Sequence, residues 1–167
     1  MKILPKKFTG DMQRMKKQEL LNRVHEAHKQ VTNVLDSLTE EQLMRVGLNA
    51  EWSVKDLLAH LASWNERGAR ELVSIEQGTW QPQKLEIAAV HEFNAEVVNA
   101  KRMEPFSDVR ADFDRAHEEM MRLIENLPEE LDENSPALRV VNGTGIRHIV
   151  YHAAQLEEWK LKLSEGA

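Results

Sequence analysis

Cysteine is absent from this chain of 167 residues. Its absence excludes disulfide bonds, thiolate nucleophiles and thiolate metal sites, and it favours a cytoplasmic location. Long hydrophobic runs are also absent, because the longest extends only from Ile87 to Val90. A membrane-spanning helix needs about 18 or more apolar residues. We therefore expect a soluble, cytoplasmic protein that has no membrane partner.

Positive charge is scarce over most of the chain. Lysine and arginine number 22 against 28 acidic residues, which gives a net charge of −6. Residues 1–17 differ, since they hold six basic side chains and one acidic one, a local charge of +5. We predict a basic N-terminal arm over residues 1–15 and a single domain over residues 16–163. Because an acidic chain repels phosphate backbones, we expect no nucleic-acid partner and rank DNA association through the arm last.

The sequence motifs of several enzyme classes are missing. There is no glycine-rich Walker loop, no nucleophile elbow, no dinucleotide-binding fingerprint and no His-Glu-x-x-His pair. No histidine has a glutamate three residues before it, which excludes the usual di-iron bundle pattern. These absences leave the seven histidines as the main candidates for chemistry.

Apolar residues recur at helical spacing in four long segments, and no stretch alternates with period two. The first predicted helix runs from about Asp11 to Leu38, and the second from a capping box at Ser53–Asp56 to near Gly78. The third runs from a cap at Ser107 and Asp108 to Leu127, and the fourth from a cap at Thr144 to Leu163. A further helical pattern over about 85–102 connects the second and third. The sequence therefore predicts an all-α fold, a four-helix bundle with a helical crossover between helices 2 and 3.

The last predicted helix places two histidines on one stripe. His148 and His152 are four positions apart, and Gln155 and Trp159 lie on the same side. Imidazoles at this spacing can both reach one cation, as they do in zinc sites on helices. The spacing alone also arises by chance in a chain with seven histidines.

A third candidate, His60, lies at the margin of the apolar stripe of the second helix. Three neutral imidazoles would leave open positions on a metal ion, as catalytic sites do. Asp56 and Gln155 are candidates to hold the ligand rings or a bound water. Trp64 and Trp159 are candidates to wall a pocket, with core packing as the alternative for both. The competing interpretation of the three histidines is that each makes one hydrogen bond at the edge of the core.

These residues resemble a known family. Trp52-Ser-Val-Lys-Asp-Leu-Leu-Ala-His60-Leu followed by Trp64, together with His148-x3-His152-x2-Gln155, is similar to the DinB-like, or YfiT-like, superfamily of four-helix-bundle metalloenzymes. The Leu-Thr-Glu-Glu-Gln-Leu turn before Trp52 and the Asn94-Ala region most resemble its ClbS/DfsB-like members. The resemblance extends from about Lys16 to Lys162.

The resemblance implies that His60, His148 and His152 bind one divalent metal ion, usually zinc or nickel. It also implies a small-molecule substrate and a possible homodimer. We expect a metal-dependent transferase or hydrolase that acts on a small electrophile, either as a thiol S-transferase or in toxin detoxification. Because the chain lacks cysteine, any thiol would come from a low-molecular-weight cofactor. The alternative is a stress-related helical bundle that binds or sequesters a ligand without turnover; the catalytic residues stay unassigned.

Overall fold

The structure is a computed structural model that describes residues 14–49 and 51–165. Most of the predicted basic arm, residues 1–13, lies outside the described residues. The helices are α1 (Lys17–Leu35), α2 (Glu40–Met44), α3 (Val54–Glu76), α4 (Ile87–Lys101), α5 (Phe106–Glu125), α6 (Pro136–Val140) and α7 (His148–Glu165), with a π-helical segment, Val141–Arg147, between the last two. Two short strands, β1 (Arg14–Lys16) and β2 (Glu130–Asp132), complete the described fold. None of the described helices is long and apolar enough to cross a bilayer.

The four long helices α1, α3, α5 and α7 form the bundle, which confirms the predicted all-α fold class. Helix α3 packs along α5, and α1 packs against both α5 and α7. Helix α4 is the predicted crossover between the second and third long helices, and it packs on α3.

The core consists of two clusters of buried apolar side chains. One surrounds Phe113 and Leu57, both fully buried, and includes Ile149 and Leu156 of α7. The other surrounds Met120 and includes residues of α1, α3, α6 and the π-helical segment. Burying side chains of this size stabilises a fold by about 1.5–3 kcal/mol each, so these clusters hold the helices together.

Two predicted helix starts are wrong. Helix α1 begins at Lys17 because the preceding residues are extended and pair antiparallel with β2, with Met15 opposite Leu131. Helix α5 begins at Phe106 after Pro105, and the Ser107 hydroxyl donates to the side chain of Asp108 instead of capping the helix. The sequence does not reveal β1 before α1, because a three-residue strand is too short for its period to appear. The start of α5 is set by Pro105, whose ring favours an extended residue before the helix.

The last predicted helix also begins earlier than expected. Ser135 caps α6 and Pro136 is its first residue, so the helical path starts before Thr144 and passes through the π-helical segment into α7. The Thr144 hydroxyl donates to the carbonyl of Val140 within the helix, 3.0 Å away. Glycines at 143 and 145 give this stretch the composition of a loop, whereas burial of Val141 and Ile146 keeps it helical.

Helix α3 approaches the π-helical segment closely at Gly68. A Cβ atom on Gly68 would lie 2.2 Å from the Oγ1 atom of Thr144 and 3.0 Å from Cε of Met120. Any side chain here would therefore push the two elements apart. This contact fixes the spacing between the helix that bears His60 and the segment that leads into His148.

Helix α4 is attached more lightly than the bundle helices. Val98 is its only buried residue, and Ile87 at its start is 76% exposed. Its carboxyl end is held by the buried side chain of Lys55, whose Nζ donates to the carbonyls of Arg102 and Glu104 at 2.8 Å. A buried cation is well placed there because the last carbonyls of a helix have no partners within it.

Candidate metal centre

Three histidines from two helices meet beside the core. The capping box of Ser53 and Asp56 fixes where α3 begins, and His60 follows two turns later with 4% of its surface exposed. His148 is the first residue of α7, and His152 follows one turn later. One ring nitrogen from each of the three lies within 4.8 Å of the other two. The structure therefore brings together the three histidines that the sequence singled out.

Hydrogen bonds at Nδ1 orient two of the three imidazole rings. Nδ1 of His60 lies 3.1 Å from Oδ1 of Asn94, and Nδ1 of His152 lies 2.9 Å from Oε1 of Gln155. Oδ1 of Asn94 also accepts from Nε1 of Trp64, so it is an amide oxygen, and Nδ1 of His60 donates to it and leaves the lone pair on Nε2. Nε2 of His60 lies 2.9 Å from Nε2 of His148.

Burial keeps the three imidazoles neutral. It lowers the pKa of His60 to about 3, with smaller contributions from the charges of His148 and His152. Burial and the charge of His152 lower the pKa of His148 to about 4. Burial also lowers the pKa of His152, against the opposing effect of its hydrogen bond to Gln155. All three nitrogens are therefore available as neutral ligands near neutral pH.

The donor set fits a divalent transition metal. Nε2 of His60 and Nε2 of His148 lie 2.9 Å apart, close enough to share either a proton on His148 or a cation. Nδ1 of His148 is buried and has no hydrogen-bond partner among the described residues, so this ring is poorly satisfied as an ordinary core histidine. Ligands 2.0–2.1 Å from one tetrahedral zinc ion lie about 3.3–3.4 Å apart, so the side chains of the widest pair, now within 4.8 Å, would have to move together by more than an ångström to bind it.

The three histidines line an open cavity of about 760 Å³. Trp52 and Trp64 supply aromatic walls, and α4 contributes one side. The remaining lining residues are Asn49, Glu51, Val90, His91, Asn94, Ala95, Gly143 and Thr144. A cavity of this size accommodates a small molecule, and it gives that molecule direct access to the imidazole nitrogens.

The other predicted site residues divide between the cavity and the bundle. Trp64 lines the cavity, and Gln155 orients His152. Asp56 instead belongs to the capping box, where its Oδ2 accepts from the backbone nitrogen and hydroxyl of Ser53 at 2.8 Å. Trp159 packs against the core cluster around Phe113 and lies close to Gly47, away from the cavity lining.

Asn94 is the main site residue that the sequence-based reasoning missed. It lies four residues after Val90 and four before Val98, so it is a polar residue on the inner stripe of α4. An unexpected polar residue on an apolar stripe is the signal that could have identified it.

A second group of histidines lies elsewhere in the bundle. The rings of His28 and His117 stack with centroids 3.9 Å apart, and Nε2 of His28 lies 2.9 Å from Asp114. Burial, reinforced by the charges of His28 and His25, lowers the pKa of His117 to about 4. We attribute a structural role to this group.

Comparisons with known proteins support the fold. The chain is similar to the colibactin self-resistance protein ClbS, solved in complex with a double-stranded DNA, with 13% identity over 87% of this chain and 95% of that one and a TM-score of 0.72. An uncharacterised protein from Escherichia coli UTI89 is 14% identical, with 89% and 95% coverage and a TM-score of 0.72. DfsB, described as a sibling lethal factor precursor, is 14% identical, with 89% and 97% coverage and a TM-score of 0.73. No curated protein sequence matches the chain significantly.

The exclusion of nucleic-acid partners drawn from net charge is wrong. ClbS has the same fold and was crystallised with duplex DNA. Net charge is a sum over the whole chain and does not describe the local surface that would meet a phosphate backbone.

The family assignment follows from sequence as well as fold. The profile of the mycothiol maleylpyruvate isomerase N-terminal domain matches residues 24–143, which include His60 and end before His148. That family is related to thiol-dependent isomerases and detoxification proteins, and it is metal-binding in general. The chain therefore belongs to the mycothiol maleylpyruvate isomerase N-terminal domain family, within the DinB/YfiT-like superfamily.

Proposed function

We propose that this protein is a divalent-metal-dependent transferase or hydrolase that acts on a small electrophile. The observation that supports this most directly is the convergence of His60, His148 and His152 at an open cavity. Three nitrogen ligands on one side of an ion leave positions for water or substrate, whereas structural metal sites normally close all four. Zinc or nickel suits imidazole ligands.

In such a reaction the protein would bind the metal ion and the substrate, orient them and shield them from bulk water. A metal ion at the three imidazoles would lower the pKa of a bound water or thiol and so supply a nucleophile near neutral pH. Trp52 and Trp64 would hold the apolar part of a substrate against the cavity wall. The chain has no cysteine, so a thiol nucleophile would come from a low-molecular-weight cofactor.

Metal analysis of untagged protein tests the site. We expect about one ion per chain in the wild type and loss of that ion in His148→Ala and His152→Ala. His25→Ala is the matched control, since this histidine is exposed and belongs to the other group. Metal-free wild-type protein that binds neither zinc nor nickel on titration would contradict the proposal.

Turnover separates an enzyme from a binding protein. A panel of electrophiles is incubated with common low-molecular-weight thiols, with and without metal, and the products are identified by mass spectrometry. Metal-dependent product that exceeds the protein concentration supports the enzyme. Stoichiometric protection of the electrophile without product supports the alternative, a bundle that sequesters its ligand.

Association with duplex DNA is a second candidate function, because ClbS was solved in complex with a double-stranded DNA. Fluorescence anisotropy with a labelled duplex tests it over a range of salt concentrations. Phosphate contacts predict binding that weakens steeply as salt rises. Comparison of the full chain with a chain that lacks residues 1–13 shows whether the basic arm contributes, and no binding at low salt refutes this candidate.

A further inference from the structure

The side chain of Asn94 joins the metal centre to one wall of the cavity. Its Oδ1 accepts from Nδ1 of His60 at 3.1 Å and from Nε1 of Trp64 at 2.9 Å. The indole nitrogen can only donate, so the atom facing both rings must be the amide oxygen and not the amide nitrogen. The same oxygen then requires a proton on Nδ1 of His60.

This geometry sets the tautomer of one candidate ligand. With its proton on Nδ1, His60 directs the lone pair of Nε2 toward Nε2 of His148. The opposite tautomer would leave Nδ1 and the Asn94 oxygen facing each other as two acceptors. A buried pair of acceptors with no donor between them is unfavourable, so Asn94 favours the form of His60 that can bind a cation.

Other contacts show why α4 brings this residue to the site. Helix α4 has little burial of its own, and Lys55 holds its carboxyl end. Val90, His91 and Ala95, which line the cavity, flank Asn94 on the same helix. The Asn94 hydrogen bonds therefore tie the cavity wall to a ligand ring and to Trp64.

We propose that Asn94 is a positioning residue that holds His60 as the Nδ1–H tautomer and thereby presents Nε2 to the three-histidine centre. This inference rests on the metal-dependent function proposed above, because the tautomer matters to chemistry only if Nε2 binds a cation. Asn94 touches the ligand ring and the indole, and it acts on the reaction through them.

Histidine tautomers can be read directly in the metal-free protein. Long-range ¹H–¹⁵N correlation spectra of the full ¹⁵N-labelled chain distinguish an Nδ1–H ring from an Nε2–H ring, and His60→Gln assigns the signals. We expect wild-type His60 to be Nδ1–H. Asn94→Leu, which has a similar size and no acceptor, should lose that preference, whereas Asn94→Asp, which keeps an acceptor oxygen, should retain it.

Cobalt affinity, measured by competition with a chelator, is the second readout. Removal of a partner that orients a metal-ligating histidine typically weakens metal binding about 10–100-fold, and we expect this loss in Asn94→Leu. Asn94→Asp should bind within a few-fold of wild type. Asn99→Leu is the matched control, since Asn99 is exposed on the same helix and should leave both the tautomer and the affinity unchanged.

The two readouts separate failure of this inference from failure of the proposed function. If the wild-type protein binds no cobalt, the proposed metal site is refuted, and the tautomer of His60 alone then tests whether Asn94 positions that ring. If wild-type protein binds cobalt while Asn94→Leu keeps both the wild-type tautomer and affinity, the positioning role is refuted. An Nε2–H ring at His60 in the wild type overturns the inference even if Asn94→Leu fails to fold.

Discussion

Replacement of Gly68 by alanine tests whether close contact between α3 and the π-helical segment sets the spacing of the site. The added Cβ would lie 2.2 Å from Oγ1 of Thr144, more than an ångström inside normal van der Waals contact. Met120 also approaches, but its Cε at 3.0 Å is the end of a flexible side chain and can move. Thr144 is less free, since it is β-branched and its hydroxyl donates to the carbonyl of Val140.

The magnitude follows from two opposing effects. Alanine is favoured over glycine inside a helix by about 1 kcal/mol. Overpacking a tight contact costs about 1–3 kcal/mol, and the short distance at Gly68 places this case in the upper half of that range. We expect Gly68→Ala to lower the free energy of unfolding by about 1–2 kcal/mol, which corresponds to a fall of about 2–8 °C in Tm for a chain of this size.

Urea denaturation followed by circular dichroism measures the change, and Gly143→Ala is the matched control. Gly143 lies in the π-helical segment, and a Cβ there would meet no atom within 4 Å. It should be neutral or stabilising by up to about 1 kcal/mol. The double variant Gly68→Ala with Thr144→Ala should recover part of the loss, since it removes the nearest clashing atom. Equal stability of Gly68→Ala and Gly143→Ala would show that the contact with Thr144 does not limit the approach of the two elements.

Three further predictions concern the bundle. Burial lowers the pKa of His117 to about 4, against 6.5 in an unfolded chain, so the contribution of this ring to the free energy of unfolding is complete above pH 6.5 and falls by about 3 kcal/mol as the pH drops toward 4. In urea denaturation, His117→Gln should flatten this pH dependence, and an unchanged slope would contradict the prediction. Lys55→Met should destabilise the protein by about 1–3 kcal/mol, because the carbonyls at the end of α4 lose their donor. Amide hydrogen exchange should increase more in α4 than in the bundle helices, and an equal increase in all helices would contradict the anchoring of α4 by Lys55. Phe113→Ala should lower the free energy of unfolding by about 3–5 kcal/mol because the ring is fully buried. A loss of less than about 1 kcal/mol, measured by thermal unfolding, would mean that the cluster repacks around the vacated volume.

Local sequence patterns were sufficient for the start of α3 and for the face shared by His148, His152 and Gln155. The capping box at Ser53 and Asp56 predicted the start of α3, and the structure forms both of its hydrogen bonds. The spacing of His148, His152 and Gln155 predicted a shared helix face, and Gln155 does bond to His152. Such patterns are reliable because residues three and four apart on a helix are neighbours whatever the rest of the chain does.

Non-local pairing and packing explain the errors at the start of α1 and at the start of the last predicted helix. The start of α1 depends on pairing with residues more than a hundred positions away, and the path through Val141–Arg147 depends on burial against α1 and α3. Asp56 is a candidate from spacing to hold a ligand ring or a bound water, but its carboxylate is occupied by the cap. The choice between cap and site depends on three-dimensional direction, which residue spacing alone does not give.

Composition fixes which donor atoms this protein can offer to a metal ion. Without cysteine and with histidines on two helices, it allowed a nitrogen-based metal site, and helical periodicity determined which histidines share a face. The meeting of His60 with His148 across two helices, and the hydrogen bond from His60 to Asn94 of the crossover helix, depend on how the helices pack. Composition and periodicity reflect neighbours along the chain, whereas the approach of α3, α4 and α7 is set by the buried side chains between them.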